Sequence, residues 1–366
     1  MGKRWLMTSA WGRRYVFDRE TRQILDAYRA RATSPLDWQP ISPSPMPRYD
    51  ASAVQIRERF YVIGGYLDLD HVTSCIDVLD LPTCRWVARW DMPAAMAHHH
   101  HGVATDGERF AYFVAGQYGP RCSPAVATGY SLDVTTGEWL PLPPLPEPRY
   151  APALRLWRGR LHALGGAQPD RITPATEHWS IAVDAGRAHD NAWRNEIPAP
   201  RGGGHRSSAV VGDRLYLLGG QEGDFKPIPG DPLFTCSHET LETVYGDCYL
   251  LEPNAQQWQR LPDMPIPTSH TESSVIVLGE QVLLLGGYIH QDPRTYAMTL
   301  TDVIQRFDTR SRTWTLVGRL PYRVKTTLAA YHGGWMYAMT GQRDLDEDDP
   351  SPGAIEARAW RARYTT

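Results

Sequence analysis

The sequence has little of what marks a membrane protein or a nucleic-acid-binding protein. Its longest apolar runs, such as Val282 to Leu285, have the length of a strand, which excludes a membrane-spanning helix. Lysines and arginines number 38 against 41 aspartates and glutamates, so there is no excess of positive charge to bind nucleic acid or an acidic membrane surface. We therefore expect neither partner.

Cysteine is also scarce. There are five cysteines, an odd number, and no Cys-x-x-Cys motif, which argues against a disulfide framework and against a structural zinc site. The basic start of the chain is not followed by an apolar stretch of signal-peptide length, so we expect a cytoplasmic protein. In that compartment all five should be reduced thiols. They are Cys75, Cys84, Cys122, Cys236 and Cys248.

Residues that form turns and strands are abundant. The 31 glycines, 30 prolines, 13 tryptophans and 18 tyrosines favour short strands joined by tight turns. A doublet of small residues closes an apolar strand six times, and the last residues of successive doublets are 51, 50, 54, 67 and 54 positions apart. A period of about 50 residues is typical of repeat architectures. The doublets are Gly64–Gly65, Ala115–Gly116, Gly165–Gly166, Gly219–Gly220, Gly286–Gly287 and Thr340–Gly341.

A second element of the repeat follows each doublet. An apolar strand ends in an acidic residue, and in four repeats a tryptophan stands six residues after that acid. The third repeat departs from this spacing, since Asp184 and Trp193 are nine residues apart. Each unit has the length of a four-stranded antiparallel sheet that must stack on its neighbours to bury both faces. The six-residue spacing joins Asp80 to Trp86, Asp133 to Trp139, Glu252 to Trp258 and Asp308 to Trp314.

The glycine doublets, the spaced tyrosines and tryptophans and the period together resemble the kelch repeat, over about residues 33–363. This resemblance implies an all-β fold, a six-bladed kelch-type β-propeller with four-stranded antiparallel blades. We divide the chain into an N-terminal extension, residues 1–32, and a single propeller domain, residues 33–366. In the extension we expect a short helix from Arg19 to Arg31.

The ends of the propeller domain predict how its ring closes. The segment from Trp38 to Arg48 aligns without a gap on the segment from Trp139 to Arg149. The N-terminal segment should therefore supply the outer strand of the last blade, and the segment from Glu356 to Arg363 its third strand. Such closure removes an exposed sheet edge.

The first strand of each blade lines the central channel of such a propeller. Counting back fourteen residues from each doublet reaches two histidines and two acids among six positions. These residue types predict a mononuclear transition-metal site, with copper or iron favoured. The alternative is that each histidine is a structural residue of the repeat, and in this register His98 and His100 pack between blades. The predicted ligands are His101, His205, Glu272 and Asp50, and the other two positions are Ala151 and Thr326.

Positions two residues earlier should lie nearer the mouth of the channel. Arg48 and Arg149 suit a carboxylate or phosphate on a small substrate. His99 and His270 would then serve as acid and base near neutral pH. The alternative is that both arginines form salt bridges across the channel to Asp50 and Glu272.

Three functions follow from these residues. The first is an enzyme with oxidative or lyase-type chemistry at the metal, as the resemblance to galactose oxidase-type propellers implies. The second is a metal-free epimerase or isomerase of an acidic small molecule, as in sialic acid epimerase-type propellers. The third is a kelch-type protein-interaction scaffold. The long loop from Gln221 to about Asp247 would be a lid over the pocket or a surface for a partner. The histidine-rich channel favours the metal enzyme.

Overall fold

The computed structural model describes residues 5–8, 14–17, 19–32, 36–227, 236–237, 241–294, 296–346 and 349–365. Nearly all regular structure in these ranges is β-strand, and a helix spans Arg19–Arg31, as the sequence predicts. In the same ranges, no helix has both the length and the apolar character needed to cross a membrane.

Six antiparallel sheets, which we call blades 1 to 6 in chain order, form the body of the described chain. In blades 1 to 5 the strands pair in sequence order from the channel outwards. Blade 1 consists of Ser52–Ile56, Arg59–Ile63, Cys75–Asp80 and Arg85–Asp91. Blade 2 consists of Gly102–Thr105, Phe110–Val114, Gly129–Asp133 and Glu138–Leu142. Blade 3 consists of Ala153–Trp157, Arg160–Leu164, His178–Asp184 and the short strands Arg187–Ala188 and Arg194–Asn195.

The second half of the chain repeats this plan. Blade 4 consists of Ser207–Val211, Arg214–Leu218, Cys248–Leu251 and Gln259–Leu261. Blade 5 consists of Val275–Leu278, Gln281–Gln291, Met298–Asp308 and Thr313–Arg319. Blade 6 consists of Leu328–His332, Trp335–Met339, Ala359–Arg363 and Trp38–Ile41.

The blades are arranged in a closed ring. The first strand of each blade contacts the first strands of the blades before and after it, and that of blade 6 contacts that of blade 1. Exposure changes accordingly from the channel outwards. The second strands are almost wholly buried, whereas the outer strand Arg85–Asp91 alternates exposed and half-buried side chains. Apolar clusters fill the spaces between neighbouring blades, for example Tyr61 and Ile63 of blade 1 with Phe113 of blade 2.

Blade 6 closes the ring as the sequence predicts. The N-terminal strand Trp38–Ile41 pairs with Ala359–Arg363, which pairs in turn with Trp335–Met339. The first and last described parts of the propeller are thereby held in one sheet, and the C-terminal strand has a partner on both sides.

The helix Arg19–Arg31 packs against blade 5. Leu25 is buried with Ile266, Val303 and Leu316, and Arg29 Nε lies 3.2 Å from the buried carboxylate of Asp302. A helix with one apolar side gains stability mainly from such burial.

Short strands stand outside the six blades. Those in the loops that follow the glycine doublets surround the mouth of the channel. Tyr66–Asp68 pairs with His71–Val72, Gln221–Glu222 with Thr243–Val244, and Lys226–Pro227 with Cys236–Ser237. In blade 6, Gln342–Asp346 pairs with Val324–Lys325 and with Asp349–Ile355. Near the N-terminus, Trp5–Thr8 pairs with Arg14–Phe17.

One expectation about cysteine is wrong. Cys122 is disulfide-bonded, whereas Cys75, Cys84 and Cys248 are free. Scattered cysteines without a motif carry no signal for a single disulfide, because its formation depends on the fold.

Candidate functional site at the channel mouth

The glycine that ends each doublet fixes the register of the channel mouth. In every blade, a Cβ added at this glycine would lie within 3.0 Å of one backbone carbonyl oxygen in the segment before a first strand. The residue after each of these carbonyls has a positive φ, so these residues occupy equivalent positions. They are Asp50, His100, Ala151, His205, His270 and Thr326.

This register differs from the one predicted by counting back fourteen residues. Blade 2 has one residue more between the mouth and the doublet, and blade 5 has two more. His100 and His270 therefore take the positions that the count gives to His101 and Glu272. A fixed count fails where an inserted residue is absorbed in the turn before the strand.

Three histidines and a carboxylate gather at the mouth. His100 Nε2 lies 3.5 Å from Asp50 Oδ2, and its ring lies 5.2 Å from that of His205. The rings of His205 and His270 stack at 3.7 Å between centroids. The structure thus brings together Asp50, His205 and His270 from the predicted set, and adds His100.

The hydrogen bonds of His99 and His100 determine their tautomers. His99 Nε2 donates to the carbonyl of Gly119 at 2.8 Å, so its Nδ1 accepts from His100 Nδ1. His100 Nε2 then accepts from the hydroxyl of Tyr150 at 3.0 Å. This chain needs both imidazoles neutral, in agreement with burial, which lowers the pKa of each well below its ordinary value.

Arg171 supports this chain from the loop that follows the third doublet. Its Nη2 donates to the Tyr150 hydroxyl at 2.8 Å and lies 3.3 Å from Asp224 Oδ2. Its guanidinium also lies 4.0 Å from the centre of the Tyr150 ring. Burial opposes its charge, but Tyr150 and Asp224 raise the pKa of Arg171, which stays a cation.

His205 is the exception among the buried histidines. Burial alone lowers its pKa, but the carboxylate of Glu272, 2.8 Å from Nδ1, raises it above the ordinary value with help from Asp224 and Asp50. Burial likewise works to raise the pKa of Glu272, and His205 lowers it. The pair is therefore an imidazolium and a carboxylate inside the channel.

Three polar atoms in this cluster have no hydrogen-bond partner among the described residues, although all three are buried. They are His205 Nε2, Asp50 Oδ1 and Glu272 Oε2. Because burying such atoms unpartnered is unfavourable, each calls for a partner. His205 Nε2 offers a proton. Burial raises the pKa of Asp50 despite Lys325 and His205 nearby, so this carboxyl also holds a proton more readily than usual.

Residues of the long loop of blade 4 cover the cluster. Asp224, Phe225 and Glu242 line a chamber of 30 Å³ together with Asp50, His100 and His270. The rest of its wall is formed by Tyr66, Arg121, Cys122, Tyr150, Arg171, Met298 and Lys325. Burial and the neighbouring Asp224 raise the pKa of Glu242 to about 7. A chamber of this volume holds about one water molecule.

His101 is not part of the cluster. Its Nε2 donates to the carbonyl of Ala97 at 2.6 Å, and its Nδ1 accepts from the hydroxyl of Ser52 at 3.3 Å. Burial lowers its pKa to about 4. Both nitrogens are thus bonded to protein, and it is His100, not His101, that lies at the mouth. The predicted assignment of these two neighbours is reversed, because the inserted residue changes which of them follows the turn.

The arginines predicted to bind a ligand lie inside the blades. Arg48 is fully buried, pairs with Asp77 and donates to the carbonyls of Gly64 and Cys75. Arg149 lies against the Trp179 ring and pairs with Glu147 and Glu177, at 2.9 and 3.0 Å. Neither pairs with Asp50 or Glu272, so the predicted salt bridges across the channel are wrong. That these arginines bind a ligand stays a prediction.

Of the four predicted metal ligands, His101 lies apart from the other three. In the parts of the chain that the structure describes, no three His, Cys, Asp or Glu side chains are placed to hold one metal ion. Of the predicted set, Asp50, His205 and Glu272 remain at the mouth.

Four residues of the chamber wall were not predicted from the sequence. Arg171, Asp224, Glu242 and Lys325 reach the mouth from loops or strand ends whose spacing is not that of the repeat. The length of the fourth loop predicts that it lies over the channel. Nothing in its sequence distinguishes Asp224 and Glu242 from its other acidic residues.

Replacing Glu272 with glutamine tests the ion pair. In the wild type the pair contributes stability while His205 is protonated and Glu272 ionised. That contribution is lost as pH rises through the raised pKa of His205 and as pH falls through the lowered pKa of Glu272. In Glu272→Gln, burial should lower the pKa of His205, which ¹⁵N NMR of the imidazole measures between about pH 5 and 9. Glu108→Gln on the exposed surface is the matched control. The same titration of His205 in all three proteins would contradict the pairing.

The sequence is similar to those of kelch-repeat proteins from other organisms. A profile of the kelch motif matches residues 47–89. A kelch repeat-containing protein of Arabidopsis thaliana is 42% identical over 342 residues, covering 93% of this chain and 79% of that protein. The kelch-like protein terF of Aspergillus terreus is 26% identical over 307 residues, covering 71% of this chain and 64% of that protein.

Among solved structures, that of YjhT is similar in fold. It aligns with a TM-score of 0.63 over 86% of this chain and 95% of its own, at 12% sequence identity. At this identity the similarity extends to the fold alone.

Proposed function

The chain belongs to the kelch-repeat family, and we propose that its propeller binds a small polar molecule at the channel mouth and exchanges protons with it. The observation that supports this most is the set of unpartnered buried atoms on His205, Asp50 and Glu272. Titratable groups with shifted pKa values gather at functional sites more often than elsewhere.

The proposed roles follow from protonation. His205, held as an imidazolium by Glu272, is the proton donor. His100 is fixed as a neutral acceptor by Tyr150 and His99, and so positions the cluster without changing charge. Asp50 accepts or releases the second proton, since its pKa is raised towards neutral pH by burial.

The size of the chamber limits the ligand. A volume of 30 Å³ admits one water-sized group, so a larger molecule requires that Asp224, Phe225 and Glu242 move away from the channel. A small carboxylic or hydroxy acid with one polar group in the chamber is the substrate class we propose. Lys325, Arg171 and Arg121 line the chamber and are cations that suit an anionic group.

A copper or iron centre is the alternative form of this proposal. It would use His205 Nε2 and Asp50 Oδ1, which point to no other partner in the described chain, and not His101. Oxidative or lyase-type chemistry would then belong to the metal.

Two measurements test the site. Elemental analysis of the purified protein is followed by melting curves with small hydroxy acids, keto acids and sugar acids. We expect at least one acid class to raise the melting temperature of the wild type and not that of His205→Ala. His189→Gln, at an exposed histidine, is the control and should behave as the wild type.

Each result decides between forms of the proposal. Near-stoichiometric copper or iron that His205→Ala loses and His101→Ala keeps would support the metal form. A ligand that stabilises His205→Ala as much as the wild type would overturn the site. Absence of any effect in both measurements would favour the scaffold.

The scaffold is the second candidate, and one observation favours it. Tyr118 and Leu241 are 46% and 47% exposed on loops of the face that carries the mouth. Exposed aromatic and aliphatic side chains are common anchors for protein partners. Loss of a captured partner in Tyr118→Ala with Leu241→Ala, but not in His205→Ala, would support it.

A further inference from the structure

The channel widens into a second cavity at the end opposite the mouth. This cavity has a volume of 530 Å³, which lies in the range of small-molecule pockets. Its wall is formed mainly by first strands, including Gln55, Thr105, Arg155 and Val210, with Ser273 and Glu272 at its inner end. It is far roomier than the chamber at the mouth.

Arg155 is half-buried and is unlike the buried arginines that precede the first strands of the propeller. Its Nε donates to the carbonyl of Ser208 at 2.8 Å, and its Nη1 to the carbonyls of Leu154 and Val103 at 2.9 and 3.2 Å. Its Nη2 makes no hydrogen bond to a described residue. By contrast, Arg48, Arg149, Arg206 and Arg323 each pair with a carboxylate.

No nearby charge offsets that of Arg155. Burial alone lowers its pKa to about 10, without an opposing carboxylate among the residues the structure describes. Glu272 also lines the cavity, but its charge is paired with His205. A guanidinium held in a channel wall without a counter-charge favours an anion beside it.

A second group on the same wall is also unpartnered. The hydroxyl of Ser273 is buried and has no hydrogen-bond partner in the described chain. A hydroxyl donor and a guanidinium edge are the groups that bind carboxylate and phosphate oxygens.

We propose that this cavity binds a small oxyanion, a carboxylate or a phosphate, on Arg155 Nη2 and the Ser273 hydroxyl. The proposed anion ligands, Arg155 and Ser273, take no part in the function proposed for the mouth, so the proposal does not depend on that function. The anion supplies the counter-charge that the protein itself does not place beside Arg155.

Equilibrium dialysis with radiolabelled inorganic phosphate, and calorimetry with succinate, test the proposal at constant ionic strength set by sodium chloride. The wild type should bind one anion per chain saturably. Arg155→Gln should weaken binding by about tenfold or more, since it removes the charged donor. The matched control is Arg57→Gln at the rim of the same cavity, where the arginine pairs with Glu108 at 3.0 Å. It should change binding by less than about twofold.

A folding control keeps the test decisive. The circular dichroism spectrum of Arg155→Gln must match that of the wild type. Arg155→Lys keeps the charge, so its affinity for the anion should lie between those of the wild type and Arg155→Gln. If Arg155→Gln does not fold, Ser273→Ala takes its place and should weaken binding severalfold. No saturable binding of either anion by the wild type, or equal binding by wild type and folded Arg155→Gln, would overturn the proposal.

Discussion

Replacing Arg48 with methionine is expected to lower the free energy of unfolding by about 3 kcal/mol and to leave ligand binding at the channel mouth unchanged. The guanidinium and the carboxylate of Asp77 are both buried, so the substitution leaves a buried carboxylate without its main partner. Arg89 remains 2.7 Å from Asp77, which places the expected loss at the lower end of the range for a broken buried pair. The carbonyls of Gly64 and Cys75 also lose a donor.

Urea denaturation at neutral pH measures this loss. The matched control is Arg214→Met, because Arg214 pairs with Glu252 at 3.0 Å where both side chains are well exposed. That change should lower stability by less than about 1 kcal/mol. If Arg48→Met kept full stability but no longer bound the acid that stabilises the wild type, the arginine would be a ligand residue and our structural assignment would fail.

The behaviour of Arg48 illustrates how repeated and unrepeated residues differ in meaning. Arginines before the first strands of four blades pair with acids of their own blade: Arg48 with Asp77, Arg149 with Glu177, Arg206 with Asp247 and Arg323 with Asp344. An arginine–carboxylate pair that recurs in four blades with different loops has a structural role in the blade itself. The sequence register shows this recurrence only for Arg48 and Arg149, which stand two residues before the mouth position of their blades. Arg206 stands one residue after that position and Arg323 three residues before it, so the structure is needed to recognise the shared role.

The fold was predictable because its requirements repeat. Glycine doublets, tryptophans in outer strands and the alignment of Trp38 to Arg48 on Trp139 to Arg149 all reflect constraints that each blade must meet. The closure of blade 6 by Trp38–Ile41 is accordingly confirmed. The predicted helix Arg19–Arg31, which lies outside the repeat, is confirmed as well. Local pattern was sufficient because neighbouring blades impose the same packing on every copy.

The mouth was only partly predictable because its residues depend on exceptions to the repeat. One additional residue in blade 2 places His100 at the position that a fixed count gives to His101. Two additional residues in blade 5 place His270 at the position that the count gives to Glu272. Asp224 and Glu242 come from a loop that is much longer than the loops after the other doublets. Such contacts between distant loops depend on tertiary structure, and a single sequence does not encode them in its spacing.

Replacing Gly116 with alanine should be among the most damaging single changes near the mouth, with an expected loss of about 4 kcal/mol or failure to fold. Gly116 has φ +98, a conformation that alanine rarely adopts. An added Cβ would lie 2.7 Å from the carbonyl oxygen of His99 and 3.1 Å from the amide nitrogen of His101. Both contacts are with backbone, so a side-chain rotation cannot relieve them.

Gly107→Ala in the same blade is the matched control. Gly107 also has a positive φ, +78, but an added Cβ would meet nothing within 4 Å. It should therefore show only the backbone strain, about 1–2 kcal/mol. The difference between the two variants in urea denaturation isolates the close approach of the doublet to the histidine segment. Equal losses would mean that strain alone selects glycine at the doublet. A larger loss of stability in Gly116→Ala would mean that glycine is required because the turn carrying His99 and His100 packs directly on it. The glycine that defines the repeat would then also position the histidines of the mouth.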